Sequence, residues 1–102
     1  VRYEFKPSFD RSLKSLRTEQ KIQVRTTCLA FLDLLETRTP LPTGVGLKRL
    51  RGEFWEIRHG LGHRVLFRWT NDLIEFVLAG NHDSIKEFLR SIKFVPLVLF
   101  DE

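Results

Sequence analysis

The sequence predicts an α+β fold made of an N-terminal strand, a two-helix hairpin, a three-stranded antiparallel meander and a C-terminal helix. Three observations predict it. Apolar and charged residues alternate at the start of the chain and again across residues 53–59 and 63–69, the period of half-buried strands. Apolar residues recur at helical spacing in the first third of the chain and again near its end. The connections Gly60-Leu61-Gly62 and Thr70-Asn71-Asp72 are too short for helical crossovers, so the strands they join must run antiparallel.

The first strand is read in "VRYEFKPSF", where Tyr3 and Phe5 alternate with charged residues and Pro7 ends the run. From Ser8, a predicted N-cap, Phe9, Leu13 and Leu16 take helical spacing. After Thr18 a second stripe runs through Val24, Cys28, Phe31 and Leu35, widened by Ile22, Leu29 and Leu32. "RTPLPTGVG" stops helical structure, because prolines remove amide donors and glycines admit unusual backbone angles. Three strands follow in "EFWEIRH", "HRVLFRW" and "DLIEFVLAG". The last helix is "HDSIKEFLRSI", with Ile85, Phe88, Leu89 and Ile92 on one face and Asp83 or Ser84 as its cap. The apolar tail, with Val95, Leu97, Val98, Leu99 and Phe100, is expected to pack on this domain or on a partner.

Residues 1–102 are expected to form one domain, with nine Phe and two Trp to build its core. Cys28 has no second cysteine to pair with, no run reaches the roughly 18 apolar residues of a membrane span, and no signal-peptide pattern opens the chain. A reducing, cytoplasmic setting is therefore expected. The net charge of +4 points to an anionic partner.

That charge is concentrated. Residues 47–69 hold six Lys or Arg (Lys48, Arg49, Arg51, Arg58, Arg64, Arg68) against two acids, Glu53 and Glu56. If Trp55, Ile57, Val65, Phe67 and Trp69 turn toward the helices, Glu56, Arg58, Arg64 and Arg68 share the opposite face. The expectation is an open cationic surface with Arg64 exposed on it. Arginine suits phosphate because its planar guanidinium donates two parallel hydrogen bonds and stays charged. Weak surface ion pairs with Glu53, Glu56 and Glu75 are the competing reading of the same residues.

The element order, together with "LKRLRGEFWEIRHGLGHRVLFRW" and "LAGNHDSIKEFL", resembles the RelE/ParE superfamily of bacterial toxins from type II toxin–antitoxin pairs. Similarity runs along nearly the whole chain, through short, degenerate motifs. The resemblance implies a RelE-like fold and a toxin whose partners are a cognate antitoxin protein and, for RelE-like members, the ribosome and mRNA. RelE-like members are ribosome-dependent endoribonucleases; ParE-like members poison DNA gyrase, and a nuclease-inactive binding protein on this fold is a further alternative.

Carried over by position, Arg64 falls where nuclease members stabilise the scissile phosphate. Glu56 falls where RelE has a lysine and near where other members use a glutamate base. His82 lies at a turn where members carry arginine or histidine, and Phe88 replaces a functional tyrosine. Phenylalanine can stack on a base but cannot transfer a proton. His63 stands where a tyrosine usually precedes the strand arginine.

Metal-independent RNA cleavage needs a base for the ribose 2′-OH, a group to stabilise charge on the phosphate, and an acid for the leaving 5′-oxygen. Glu56, Arg64 and His82 are the respective candidates. Lys48, Arg49, Arg51, Arg58, Arg68 and Phe88 are the candidate RNA contacts. His59 and His63 are expected at the surface. The histidines and Cys28 match no metal-ligand spacing, so neither metal nor other cofactor is expected.

Overall fold

A computed structural model describes residues 1–60 and 62–92 of the chain. The elements are β1 (Arg2–Phe5), α1 (Pro7–Leu13), α2 (Thr18–Thr37), β2 (Val45–Arg51), β3 (Phe54–His59), β4 (Arg64–Thr70), β5 (Leu73–Gly80) and α3 (His82–Ser91). The α+β class and the element order are as expected, with one addition. The strands form one five-stranded sheet in the order β1-β5-β4-β3-β2.

The addition is β2, which lengthens the antiparallel meander from three strands to four. It pairs with β3 from Val45 opposite His59 to Arg51 opposite Phe54, and its register shifts between Arg49 and Arg51. That bulge explains why alternation did not reveal the strand. Val45 and Leu47 pack against the core on one face, but the extra residue breaks the period of two just where Lys48, Arg49 and Arg51 crowd together. β1 lies at the other edge, parallel to β5, and the intervening α1 and α2 carry the chain across the sheet to β2.

Helices α1 and α2 cover one face. Phe9 and Leu13 of α1 and Val24, Cys28, Phe31 and Leu32 of α2 are buried with Ile57, Val65, Phe67, Ile74, Phe76 and Ala79 of the sheet. Phe31 stands 5.0 Å from Phe67 and meets Trp69 edge-on, while Phe5 stacks on Phe76 at 4.9 Å. Trp55 and Trp69 pack against this core, so the inward set is as the alternation predicts. Ile22 and Leu29, which widened the predicted helical stripe, are exposed instead.

Two capping expectations need correction. Pro7 starts α1 rather than only ending β1, since its missing amide costs nothing in a first turn. Ser8 instead donates its hydroxyl to Val77 O at 2.6 Å, and Ser12 Oγ accepts from Ala79 N at 2.9 Å, fastening α1 to β5. α3 is capped by Asn81, whose side-chain oxygen accepts from Ser84 N at 2.8 Å, and not by Asp83 or Ser84.

Helix α3 packs on β4 and β5. There Leu66 and Ile85 are buried apart from the main core. The apolar tail read from the sequence lies outside the described residues.

Candidate nucleic-acid interface

Residues paired across neighbouring strands share a sheet face. Away from α1 and α2, the register therefore lays out three rows. Lys48, Glu56, Leu66 and Leu78 form one; Arg51, Phe54, Arg68 and Glu75 form another. In the third, Gly46 pairs with Arg58 and Arg64 with Gly80. Arg58 and Arg64 stand next in register after the Ile57–Val65 pair, so they face one another across β3 and β4.

This face is less open than alternation implied. α3 occupies its β4–β5 half, leaving the β2–β3 half, with Lys48, Arg51 and Arg58, beyond the helix. Arg64 is largely covered, with 23% of its side chain accessible, and Glu56 is buried. The expectation of an exposed Arg64 is thereby corrected: a helix laid across half the sheet buries the residues beside it. Arg64 Nε sits 3.2 Å from Glu56 Oε2. That nitrogen is buried and is not aligned for a hydrogen bond, so the contact is ionic.

The other cations divide by role. Arg68 donates through Nε and Nη2 to Glu53 Oε1 at 3.2 and 2.9 Å, and its Nη1 lies 3.8 Å from Glu75. The ion-pair reading thus applies to Arg68. Glu75 also holds Lys6 at 3.3 Å, and with Glu4 it raises the Lys6 ammonium above its ordinary range. Arg49 pairs with Trp55 in register and lies on the helix-covered face, its guanidinium carbon 5.9 Å from the Trp55 ring centre and its Nε donating to Gly52 O. It is separated by the sheet from Lys48, Arg58 and Arg64, so the candidate RNA contacts do not all share one face. Arg58 lies across Gly46, where a Cβ would touch its side chain at 3.7 Å. Among the described residues, no ion pair holds Lys48 or Arg58.

The remaining candidates lie on α3. Arg64 is opposite Gly80, Asn81 caps the helix, and the exposed His82 opens it. Phe88 is half-buried further along the same helix. Backbone pairing therefore brings the start of α3 to Arg64, whose side chain in turn meets Glu56. Gly80 matters here and was not singled out by sequence reasoning: a Cβ on it would stand 2.9 Å from Ser84 Cβ, so the close seating of α3 depends on its absence. The signal was present as a glycine one residue before a helix cap.

His63 is half-buried and not a plain surface residue. With Ser12, Ser15, Asn81 and Ser84 it lines a cleft of about 250 Å³ between α1 and the start of α3. His59 is exposed at the mouth of a larger apolar cleft of about 390 Å³ between α2 and the β2–β3 side of the sheet. Among the described residues, no group of three or more His, Cys, Asp or Glu side chains could hold a metal ion, and no helix is long and apolar enough to cross a membrane.

No protein-family model matches the sequence, and no curated protein matches it significantly. Solved structures do match the architecture. The RelB-RelE antitoxin-toxin complex of Methanococcus jannaschii aligns at a TM-score of 0.58 and 17% identity over 82% of this chain and 95% of that one. The Escherichia coli DinJ-YafQ complex aligns at 0.61 and 17% over 83% and 98%. The fold is that of the RelE-type toxins. A metal-bound toxin from Helicobacter pylori aligns comparably, at a TM-score of 0.60 and 17% identity over 83% and 98%. The RelE-like fold expected from "LKRLRGEFWEIRHGLGHRVLFRW" is thus present, with β2 as the element that reading left out.

Proposed function

We propose that this chain is the toxin of a toxin–antitoxin pair and acts as a metal-independent, ribosome-dependent endoribonuclease on mRNA. The observation that carries the reading is the position of Arg64: a largely covered guanidinium opposite Gly80, where the RelE-like fold brings in the start of α3. Cleavage by a neighbouring 2′-OH builds negative charge on the phosphorus-bound oxygens, and a guanidinium in a sheltered site stabilises that charge more than one in bulk water.

In this reading Arg64 holds the scissile phosphate. His82 supplies proton transfer, since an imidazole can give or take a proton near neutral pH. Lys48, Arg51 and Arg58 track the RNA backbone along the half of the sheet that α3 leaves uncovered, and Phe88 offers a ring for a base to stack on. Arg68 and Arg49 contribute less, because Arg68 is bonded to Glu53 and Arg49 lies on the opposite face of the sheet against Trp55. The RelB-RelE and DinJ-YafQ complexes each hold a toxin with its antitoxin, which supports a cognate antitoxin as this chain's partner too.

The test is induced expression in bacteria with mapping of mRNA ends, repeated with purified ribosomes. Growth arrest with new 5′ ends inside translated messages, both lost in Arg64→Ala, is the expected result. Growth arrest with intact messages and blocked DNA supercoiling would replace the ribonuclease with a gyrase inhibitor.

A further inference from the structure

Glu56 occupies the place where a base is expected, yet its surroundings suit a different task. On β3 it stands in register between Lys48 and the fully buried Leu66, and only 10% of its side chain is accessible, against 23% for Arg64. A general base must come within about 3 Å of the hydroxyl it deprotonates. A carboxylate sunk beside Leu66 is poorly placed to meet a ribose. What it does meet is Arg64 Nε, at 3.2 Å.

Nε is the guanidinium nitrogen nearest the backbone. That contact is ionic and not aligned as a hydrogen bond, and among the described residues no hydrogen bond or ion pair engages Arg64 Nη1 or Nη2. Those two nitrogens form the planar fork that matches two phosphate oxygens. A carboxylate that fixes the rear of the guanidinium reduces the freedom lost when the fork engages its target.

We infer that Glu56 is a positioning residue: it holds Arg64 near Nε so that the Nη fork faces the scissile phosphate, while the 2′-OH proton passes to the His82 imidazole, which returns a proton to the leaving 5′-oxygen. The inference rests on the ribonuclease reading for its substrate, but the Glu56–Arg64 geometry can be tested without it.

Cleavage of ribosome-bound mRNA would be measured across pH for the full chain and for Glu56→Gln, Glu56→Asp, Arg64→Ala and the Glu56→Gln/Arg64→Ala pair, alongside the ¹⁵Nε resonance of Arg64. Glu56→Gln is expected to lower kcat about 10- to 100-fold, by analogy with the loss when the partner that orients a metal ligand is removed, and Glu56→Asp to recover part of it. Once Arg64 is absent, Glu56→Gln should cost less than about twofold, because its effect runs through Arg64. The acidic limb of the pH–rate profile should survive in Glu56→Gln, and the Arg64 Nε resonance should shift. Equal losses in both backgrounds, or disappearance of the acidic limb, would mean that Glu56 is itself the base and would overturn the inference. If the parent chain cuts no ribosome-bound mRNA, the ribonuclease reading falls and the resonance decides: a shift in Glu56→Gln supports the anchoring of Arg64, and an unchanged resonance refutes it.

Discussion

Ser84 stands so close over Gly80 that a Cβ on the glycine would lie 2.9 Å from Ser84 Cβ. The atom in the way belongs to the helix's first turn and not to the flexible end of a long side chain, so α3 itself must move to make room. Gly80→Ala is expected to destabilise the fold by about 1–3 kcal/mol, as overpacking does. It should also weaken RNA cleavage by displacing the start of α3, with His82, from Arg64. Denaturant melts and cleavage assays on Gly80→Ala and on Gly80→Ala/Ser84→Gly check this. The second substitution should restore activity, because it removes the colliding carbon while leaving the backbone amide that Asn81 caps.

Arg64 and Glu56 shelter one another's charge, so removing one leaves the other poorly compensated. Arg64→Ala should lose stability by about 2 kcal/mol, below the usual loss for a fully buried pair because Arg64 is partly accessible. Adding Glu56→Gln should regain part of that loss by removing the orphaned charge. Chemical denaturation of the two variants tests the coupling, and a double variant less stable than Arg64→Ala would contradict it.

Cys28 is fully buried between α2 and the sheet, and desolvation pushes its thiol up to about 12. An unfolded thiol ionises near its ordinary value, so above that pH the unfolded state sheds a proton that the native state retains. Stability should therefore fall as pH rises from about 9 toward about 12. Cys28→Ala should flatten this fall. Thiol reagents at neutral pH should label the native chain no faster than it opens, which timed labelling with mass readout would show.

The half of the sheet beyond α3 should act mainly through charge. Lys48→Ala and Arg58→Ala should each weaken RNA association and reduce its log–log salt dependence by about 0.7 per lost contact, the value for single strands. The fold should be unaffected, since among the described residues no ion pair holds either side chain. Arg49→Ala should leave that salt dependence unchanged, because Arg49 lies on the opposite face against Trp55. Filter binding over a range of salt concentrations separates the three.

Alternation by itself determined which side chains turn inward from β3 and β4: Trp55, Ile57, Val65, Phe67 and Trp69 all pack in or against the core, because successive strand residues point to opposite faces wherever the strand lies. Helical spacing likewise placed Phe9, Leu13, Val24, Cys28 and Phe31 in that core. The concentration of arginine, and the positions of Arg64, Glu56 and His82 on neighbouring elements, were also legible. What covers each face was not. A local period says that Glu56, Arg64 and Leu66 point away from α1 and α2, but whether water or α3 meets them depends on a packing partner many residues away. The same limit explains β2, whose bulge disrupted the local period and whose strand identity comes from hydrogen bonding to β3. It explains the parallel pairing of β1 with the distant β5 as well. Tertiary structure thus decided that Arg64 is sheltered, that Glu56 lies beneath the surface beside it, and that Arg49 sits across the sheet, because burial and partner choice arise from contacts between elements and not from the pattern within any one of them.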